Sequence, residues 1–134
     1  MMQVMLNYIH TKEGKCTGGT IMQINFNKIE AKELVNFKGG EKSVFMQAFS
    51  DENNKVAMLR FPAGASIGLH RHEGTSETIF VLEGTGEMLE DDGSLVPLKP
   101  GDVSYCPEGC QHSLRNNSDG ELVVFAVIPE ALAR

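Results

Sequence analysis

Residues 64–77 of this 134-residue chain read GASIGLHRHEGTSE, and the interpretation of the whole sequence starts from them. Residues i and i+2 of a β-strand lie on the same face, so His70 and His72 are expected to point the same way. Residues 73–76 can turn the chain back, so that Glu77 begins the next strand beside the two histidines. The stretch therefore predicts two imidazoles and one carboxylate on adjacent strands, a donor set that suits a metal ion.

A third histidine comes from residues 101–116, which read GDVSYCPEGCQHSLRN. The Pro-Glu-Gly turn at residues 107–109 precedes a strand that carries His112 near its start. If that strand lies beside His70 and His72, His112 completes a set of three nitrogens and one oxygen. Burying these polar groups without partners would be costly, and one divalent cation would satisfy all four together.

The pattern outside these two segments is that of an all-β chain. Short apolar runs alternate with turn residues, which is typical of a sandwich or barrel. The predicted strands are residues 43–49, 55–61, 78–82, 87–90, 95–98, 103–106, 111–115 and 121–128. Asp92-Gly93 predicts a two-residue hairpin with positive φ at both positions, and Pro97 predicts an edge or bulged strand. Residues 24–37 are ambiguous, and a helical turn over residues 28–34 is one interpretation.

The two histidine-containing segments resemble the two motifs of the cupin superfamily. The first motif is Gly, five residues, His-x-His, four residues, Glu, six residues, Gly. The second is Gly, five residues, Pro-x-Gly, two residues, His, three residues, Asn. The matching positions are Gly64, His70, His72, Glu77 and Gly84 in the first motif, and Gly101, Pro107, Gly109, His112 and Asn116 in the second.

This resemblance extends, through the flanking strand pattern, to most of the chain after Met22, and is closest in form to small single-domain microbial cupins. It implies a double-stranded β-helix, or jelly roll, with a metal ion in the mouth of the barrel. It also implies that His70, His72, Glu77 and His112 are the metal ligands, whereas the motif glycines, Pro107 and Asn116 serve turns and backbone.

The ligand set does not choose among manganese, iron, cobalt, nickel, copper and zinc. A divalent ion with one carboxylate carries a net charge of about +1, which favours an anionic oxygen ligand. The first hypothesis is a metal-dependent oxygenase or isomerase acting on a small anionic or chelating organic substrate. The alternatives are a non-enzymatic module that binds or senses a small molecule, and a storage or structural protein, because this superfold hosts many functions.

Other polar residues near the motifs carry weaker hypotheses. Glu73 directly follows His72 and should point away from it, so Glu77 is the preferred ligand and Glu73 a residue of the rim. Cys110 could point toward the site as a soft ligand, but Cys106 and Cys110 are more simply two small buried residues. The residues that could reach the barrel mouth or lie on the surface are Gln47, Arg60 and Tyr105.

Composition excludes several partner classes. The chain has 12 basic and 18 acidic residues, a net charge of −6 and no basic run, so nucleic-acid binding is not expected. No apolar run is long enough to cross a membrane, and the first residues do not resemble a signal peptide. Three cysteines without a framework spacing indicate reduced thiols in the cytoplasm.

The ends of the chain lead to two further expectations. Residues 1–21 are expected to be an N-terminal extension and residues 22–134 the barrel domain. The extension either packs on a neighbouring subunit or precedes a true start at Met22, and His10 within it is assigned to the surface. Residues 122–128 are apolar on both faces of a strand. Because a second subunit would cover the outer face, a homodimer is predicted.

Overall fold

The structure is a computed structural model and describes residues 19–130. Residues 1–18 of the proposed extension at residues 1–21, including His10 and Cys16, lie outside the described residues. The ten strands are β1 (Lys32–Val35), β2 (Ser43–Ser50), β3 (Asn54–Phe61), β4 (His70–Arg71), β5 (Glu77–Glu83), β6 (Gly86–Leu89), β7 (Leu95–Leu98), β8 (Val103–Cys106), β9 (Gln111–Arg115) and β10 (Leu122–Pro129). Over residues 19–130 the only helical elements are the 3₁₀ turns Phe26–Lys28 and Phe37–Gly39, so the all-β prediction is confirmed.

The strands form two antiparallel sheets that enclose one core, as expected for a double-stranded β-helix. The six-stranded sheet has the order β1-β2-β3-β10-β5-β8, and the four-stranded sheet has the order β4-β9-β6-β7. Apolar side chains on the inward faces of both sheets fill the space between them. The buried cluster comprises Val44, Ala57, Leu59, Phe61, Ala65, Ile67, Ile79, Val81, Met88, Leu98, Leu114, Leu122, Val124 and Ala126.

All eight predicted strands are present, and their ends differ from the prediction by at most one residue. Pro97 lies in β7, which is an edge strand, as its missing N–H donor requires. The helical turn considered for residues 28–34 is wrong for most of that range, because β1 pairs there with β2 and Leu34 lies opposite the fully buried Val44. Ala31, Leu34 and the lysines and glutamates of this segment are good helix formers, so pairing with the neighbouring strand overrides the local preference.

The turn between β6 and β7 also differs from the prediction. Gly93 has a φ of 88°, but Asp92 is not among the residues with positive φ. The Glu90 N–H donates to the Ser94 carbonyl at 2.9 Å, and the Gly93 N–H donates to the Glu90 carbonyl at 2.9 Å. The connection is therefore a three-residue loop with a left-handed glycine at its last position.

The outer face of β10 is partly covered by the chain itself. β10 lies between β3 and β5, and the Phe125 ring packs edge-on against the Phe26 ring at 6.1 Å. The Gln47 side chain holds this cover in place, since its Nε2 donates to the carbonyls of Phe26 and Ile29. The homodimer inferred from β10 is left as a prediction. In the described part of the chain, no helix has the length and hydropathy that a membrane span requires.

Candidate metal centre

Strand pairing in the smaller sheet brings the three histidines together. His70 in β4 lies directly opposite His112 in β9. His72 follows β4, where its N–H donates to the Cys110 carbonyl at 2.9 Å and its carbonyl accepts the Gly109 N–H at 2.6 Å. The backbone of the turn before β9 therefore fixes His72 next to the His70–His112 pair, as the sequence predicted.

Glu77 reaches this group from the other sheet. It begins β5 in the six-stranded sheet, opposite Cys106 of β8. The expectation that Glu77 lies on a strand adjacent to the histidines is wrong. Residues 73–76 do not form a hairpin but carry the chain across the barrel, and Thr75 bridges to Glu130 on the way. The carboxylate consequently faces the imidazoles from the opposite wall.

The four side chains converge on one point. One ligand atom from each of His70, His72, Glu77 and His112 lies within 4.8 Å of the other three. The Nε2 atoms of His72 and His112 are 3.0 Å apart. Oε1 of Glu77 lies 2.9 Å from Nε2 of His112 and 3.2 Å from Nε2 of His72. Three of the four residues are buried, and His70 is half-buried.

These distances fit a metal ion. Nitrogen and oxygen ligands lie about 2.1 Å from such an ion, so two ligands at right angles are separated by about 3.0 Å. The three measured separations match this value. The two buried imidazole nitrogens face each other at 3.0 Å, and a divalent cation would satisfy both of them together with the carboxylate.

Neighbouring groups orient two of the rings for this role. Nδ1 of His70 lies 2.8 Å from the Gly68 carbonyl, to which it donates, so Nε2 is the nitrogen left for an ion. Nδ1 of His72 lies 3.0 Å from Oγ1 of Thr75. Such bonds fix the tautomer and direction of a histidine ligand. Within residues 19–130, Nδ1 of His112 is buried without a hydrogen-bond partner, so packing against the other two rings holds it.

The electrostatic environment keeps two of the clustered residues, His70 and Glu77, in the forms that bind metals. Burial lowers the pKa of His70, and this outweighs the opposing hydrogen bond to Gly68. Burial raises the pKa of Glu77, but hydrogen bonds from His112 and His72 outweigh it and lower the pKa to about 2. At neutral pH His70 is therefore a neutral imidazole and Glu77 a carboxylate, as metal coordination requires.

A cavity of about 410 Å³ opens onto three of these side chains, His70, His72 and Glu77. Its walls contain the apolar residues Phe37, Met46, Ala57, Leu59, Ile67 and Ile128. Its charged lining residues, besides Glu77, are Lys38, Lys55, Arg71, Glu73 and Glu130. The cluster thus has room for a small molecule beside it, in a setting that is apolar on one side and charged on another.

Two of these lining residues, Lys38 and Lys55, were missed by the sequence interpretation. The signal for Lys55 was present, because alternation along β3 places it on the same face as Ala57 and Leu59. Lys38 had no such signal, since it lies in an irregular turn that only the folded chain brings to the cavity.

The other residues considered as metal ligands, Glu73 and Cys110, lie outside the cluster. Glu73 is exposed and lines the cavity, but is outside the four-residue cluster. Cys106 and Cys110 are free thiols and line a separate cavity of about 300 Å³ that touches His112. Burial raises the pKa of Cys106 to about 11, which makes that thiol a poor metal ligand.

Gln47, Arg60 and Tyr105 do not reach the larger cavity. Arg60 forms an ion pair with Glu121 at 3.1 Å, and Gln47 binds the segment that covers β10. Tyr105 is exposed and lines the smaller cavity. Arg60 and Tyr105 are therefore exposed, as one interpretation expected, whereas Gln47 is half-buried beneath the covering segment.

The family model of the cupin domain matches residues 57–128. This range contains all four clustered side chains and both motifs, from Gly64 to Asn116. The chain belongs to the cupin family. An oxalate-binding protein of Thermotoga maritima is 34% identical to this cupin over 116 residues, which cover 82% of this chain and 95% of that protein. The crystal structure of a predicted oxalate decarboxylase from Thermotoga maritima has 31% identity and a TM-score of 0.76, over 81% of this chain and 99% of that one.

A longer protein also matches. The quercetin 2,3-dioxygenase of Bacillus subtilis is 34% identical over 86 residues. The matched region covers 64% of this cupin but only 25% of that dioxygenase. These similarities support a metal-binding cupin, and they leave the ligand and any reaction of this chain to be proposed.

Proposed function

We propose that this cupin holds one divalent transition metal ion through His70, His72, Glu77 and His112, and that the ion anchors a small organic acid in the adjoining cavity. The observation that carries the proposal is the convergence of three imidazoles and one carboxylate beside a cavity of about 410 Å³. The relative that spans almost the whole chain is named for oxalate binding, which supports a small carboxylate as the ligand.

The chain's own charges favour an anion at this position. Glu77 supplies the single negative charge among the four clustered residues, so a divalent ion held there keeps a net charge of about +1. When bound, such an ion supplies Lewis-acid chemistry, or electron transfer if it is redox-active. The apolar wall with Leu59 and Ile67 limits water near the bound anion and strengthens its attraction to the site.

A second candidate function is metal-dependent oxygenation of the bound acid or phenol. It is supported by the similarity to a quercetin 2,3-dioxygenase and by a donor set that leaves positions open on a five- or six-coordinate ion. Among residues 19–130 we identify no catalytic pair independent of the cluster, so the ion would be the main reactive group. Oxygen consumption with diketones, phenols and carboxylates separates this function from binding alone.

The test of the main proposal combines metal analysis with anion titration. Untagged protein is expected to carry about one transition metal per chain by mass spectrometry. Oxalate and acetate titrated into this protein should release heat, and the same titrations after chelator treatment should not. Protein that takes up no metal, or that binds the anions equally well without metal, would refute the proposal.

We also propose that the chain forms a homodimer through the outer face of β5 and β8. Phe80 and Leu82 of β5 are each 38% exposed, and Val103 and Tyr105 of β8 are 58% and 62% exposed. Phe80 lies opposite Val103, so the four side chains form one continuous apolar surface at the sheet edge. Such a surface is more typical of an interface than of solvent contact. A cytoplasmic location and the absence of nucleic-acid binding stay predictions.

A further inference from the structure

Lys55 is directed into the barrel, although its side chain is charged. In β3 the inward positions Ala57, Leu59 and Phe61 are 1%, 5% and 0% exposed. Lys55 precedes Ala57 by two residues and therefore lies on the same face, where it is half-buried and lines the cavity beside the metal cluster. Its cross-strand partners are Ser50 in β2 and Ile128 in β10, and Ile128 is an apolar residue of the same cavity wall.

No carboxylate neutralises this ammonium group. The ion pairs found over residues 19–130 involve other cations, and none contains Lys55. Glu73 and Glu130 line the same cavity but lie outside ion-pair distance. A half-buried charge beside apolar side chains costs free energy unless a counter-charge is present. An anionic group of a ligand would supply that counter-charge.

A second lysine, Lys38, is brought to the same cavity by a constrained turn. Asn36, Lys38 and Lys42 have φ values of 49°, 52° and 58°, and they are the non-glycine residues with positive φ in the described chain. Such conformations are unfavourable for side chains other than glycine and persist where the surroundings impose them. Positive charge at the cavity therefore comes from two separate elements, β3 and this turn.

The constraint on the turn is a close backbone crossing. A Cβ atom on Gly40 would clash with the Ser66 carbonyl, and one on Gly68 would clash with the Lys38 carbonyl. The Gly68 N–H donates to the Phe37 carbonyl at 3.0 Å. The turn is thus pressed against residues 66–68, immediately before the metal cluster, and Lys38 is held near the cavity.

From these placements we infer that the cavity selects a dianionic acid longer than oxalate. One carboxylate would bind the ion at the His70–His72–Glu77–His112 cluster, and the other would meet Lys55, with Lys38 adding positive charge. The inference rests on the proposed function. Oxalate does not fit this arrangement, because its two adjacent carboxylates chelate a single ion and leave no anion for Lys55. A cavity of about 410 Å³ also holds a considerably larger molecule.

The test is calorimetric titration of the metal-loaded protein, as purified, with two series of acids. One series runs from oxalate through malonate and succinate to glutarate and adipate, and the other contains monocarboxylates of the same carbon numbers. At least one dicarboxylate longer than oxalate should bind about tenfold more tightly than its monocarboxylate, the gain expected from one bond between charged groups. Equal affinities throughout the two series would overturn the inference.

Variants assign the preference to Lys55. Lys55→Met should reduce it to about twofold or less, whereas Lys55→Arg, which keeps the charge, should retain most of it. Lys32→Met is the matched control, because Lys32 is exposed on β1 outside the cavity and its loss should change nothing. Metal content and melting temperature, measured on every variant, show whether the cluster and the fold are intact.

The outcomes separate this inference from the proposed function. Metal-dependent binding of monocarboxylates without a dicarboxylate preference, or a preference that survives in Lys55→Met, would overturn the inference and leave the proposed function standing. Failure to bind metal at all would overturn both.

Discussion

His70 and His112 are direct cross-strand partners in the smaller sheet, and their ring centroids lie 4.8 Å apart. Two of the four clustered side chains are therefore held by the ladder between β4 and β9 rather than by a flexible loop. The centre is accordingly preorganised, since little chain entropy has to be lost when an ion binds. The clustered side chains nevertheless come from both sheets, because Glu77 belongs to the opposite wall.

Replacing His112 should remove the ion. His112→Ala deletes a buried donor whose Nε2 lies within 3.0 Å of both His72 Nε2 and Glu77 Oε1. We expect metal affinity to fall by at least about 100-fold, measured by competition with a chromophoric chelator. Gln111→Ala, one position earlier in β9, should leave it nearly unchanged. Full metal occupancy in His112→Ala would contradict its role as a ligand.

The two candidate glutamates should behave differently. Glu77 is 7% exposed and contacts two imidazoles, whereas Glu73 is exposed and contacts neither. We expect Glu77→Gln to lose most of its metal, since an amide carries no charge to balance the cation. Glu73→Gln should retain the wild-type metal content. Elemental analysis measures the metal content of both variants. A large loss of metal in Glu73→Gln would show that Glu73, and not Glu77, is the carboxylate ligand.

Acid should destabilise the metal-free protein in two stages. The pKa of His70 in the folded state lies below its ordinary 6.5, so the unfolded chain takes up its proton first and stability declines as the pH falls below 6.5. The pKa of Glu77 is about 2 against an ordinary 4.5, so its contribution is complete above pH 4.5 and is lost between pH 4.5 and 2. The second loss amounts to about 3 kcal/mol.

Urea unfolding of chelator-treated protein at closely spaced pH values would reveal both stages. Glu77→Gln is the internal control, because it removes this carboxyl group and keeps Asp51, Asp92 and Asp102, whose pKa values are also lowered by hydrogen bonds. If that variant loses stability below pH 4.5 as steeply as the parent, the decline has another origin.

Much of this architecture could be predicted from local sequence signals. Turn residues lie at the ends of the predicted strands, and the apolar runs between them are the local signal for a strand. The last motif residue, Asn116, was assigned to backbone support. It is fully buried, and its Nδ2 donates to the carbonyls of Phe61 and Gly120. This role agrees with what the resemblance to the cupin motifs implied for Asn116.

What the sequence could not supply was the relation between distant segments. Residues 73–76 are compatible with a hairpin or with a crossing between sheets, and only the packing of two apolar faces selects the crossing. The same applies to Lys38, whose position depends on the contact of residues 37–40 with residues 66–68. In the turn between β6 and β7, the Ser94 N–H donates to Oδ1 of Asp92 at 2.9 Å, a contact that the hairpin prediction did not include.

The proposed dimer predicts that a charge introduced at the β8 edge of the larger sheet weakens self-association, whereas a charge at the β1 edge does not. Val103→Glu places a charge in the exposed apolar face of β5 and β8 and should shift the protein from dimer to monomer. Val35→Glu is the matched control, since Val35 is 65% exposed on β1 at the opposite edge. Sedimentation velocity at several concentrations measures both. A wild-type protein that is monomeric throughout, or a Val103→Glu dimer as stable as the parent, would exclude this interface.

The glycine that closes the first motif should be essential for packing rather than for chemistry. Gly84 has a φ of 77°, and a Cβ there would clash with the Glu121 carbonyl where the chain enters β10. Gly93 has a similar φ of 88°, but a Cβ there would contact nothing within 4 Å. Gly93→Ala should therefore cost only the conformational strain, about 1–2 kcal/mol. Gly84→Ala carries the same strain and also displaces backbone beside the fully buried Leu122. Its free energy of unfolding should therefore fall by about 1–3 kcal/mol more than that of Gly93→Ala. Chemical denaturation of the two variants measures the difference directly. Equal losses would mean that left-handed backbone geometry alone, and not the close approach to β10, accounts for glycine at this position.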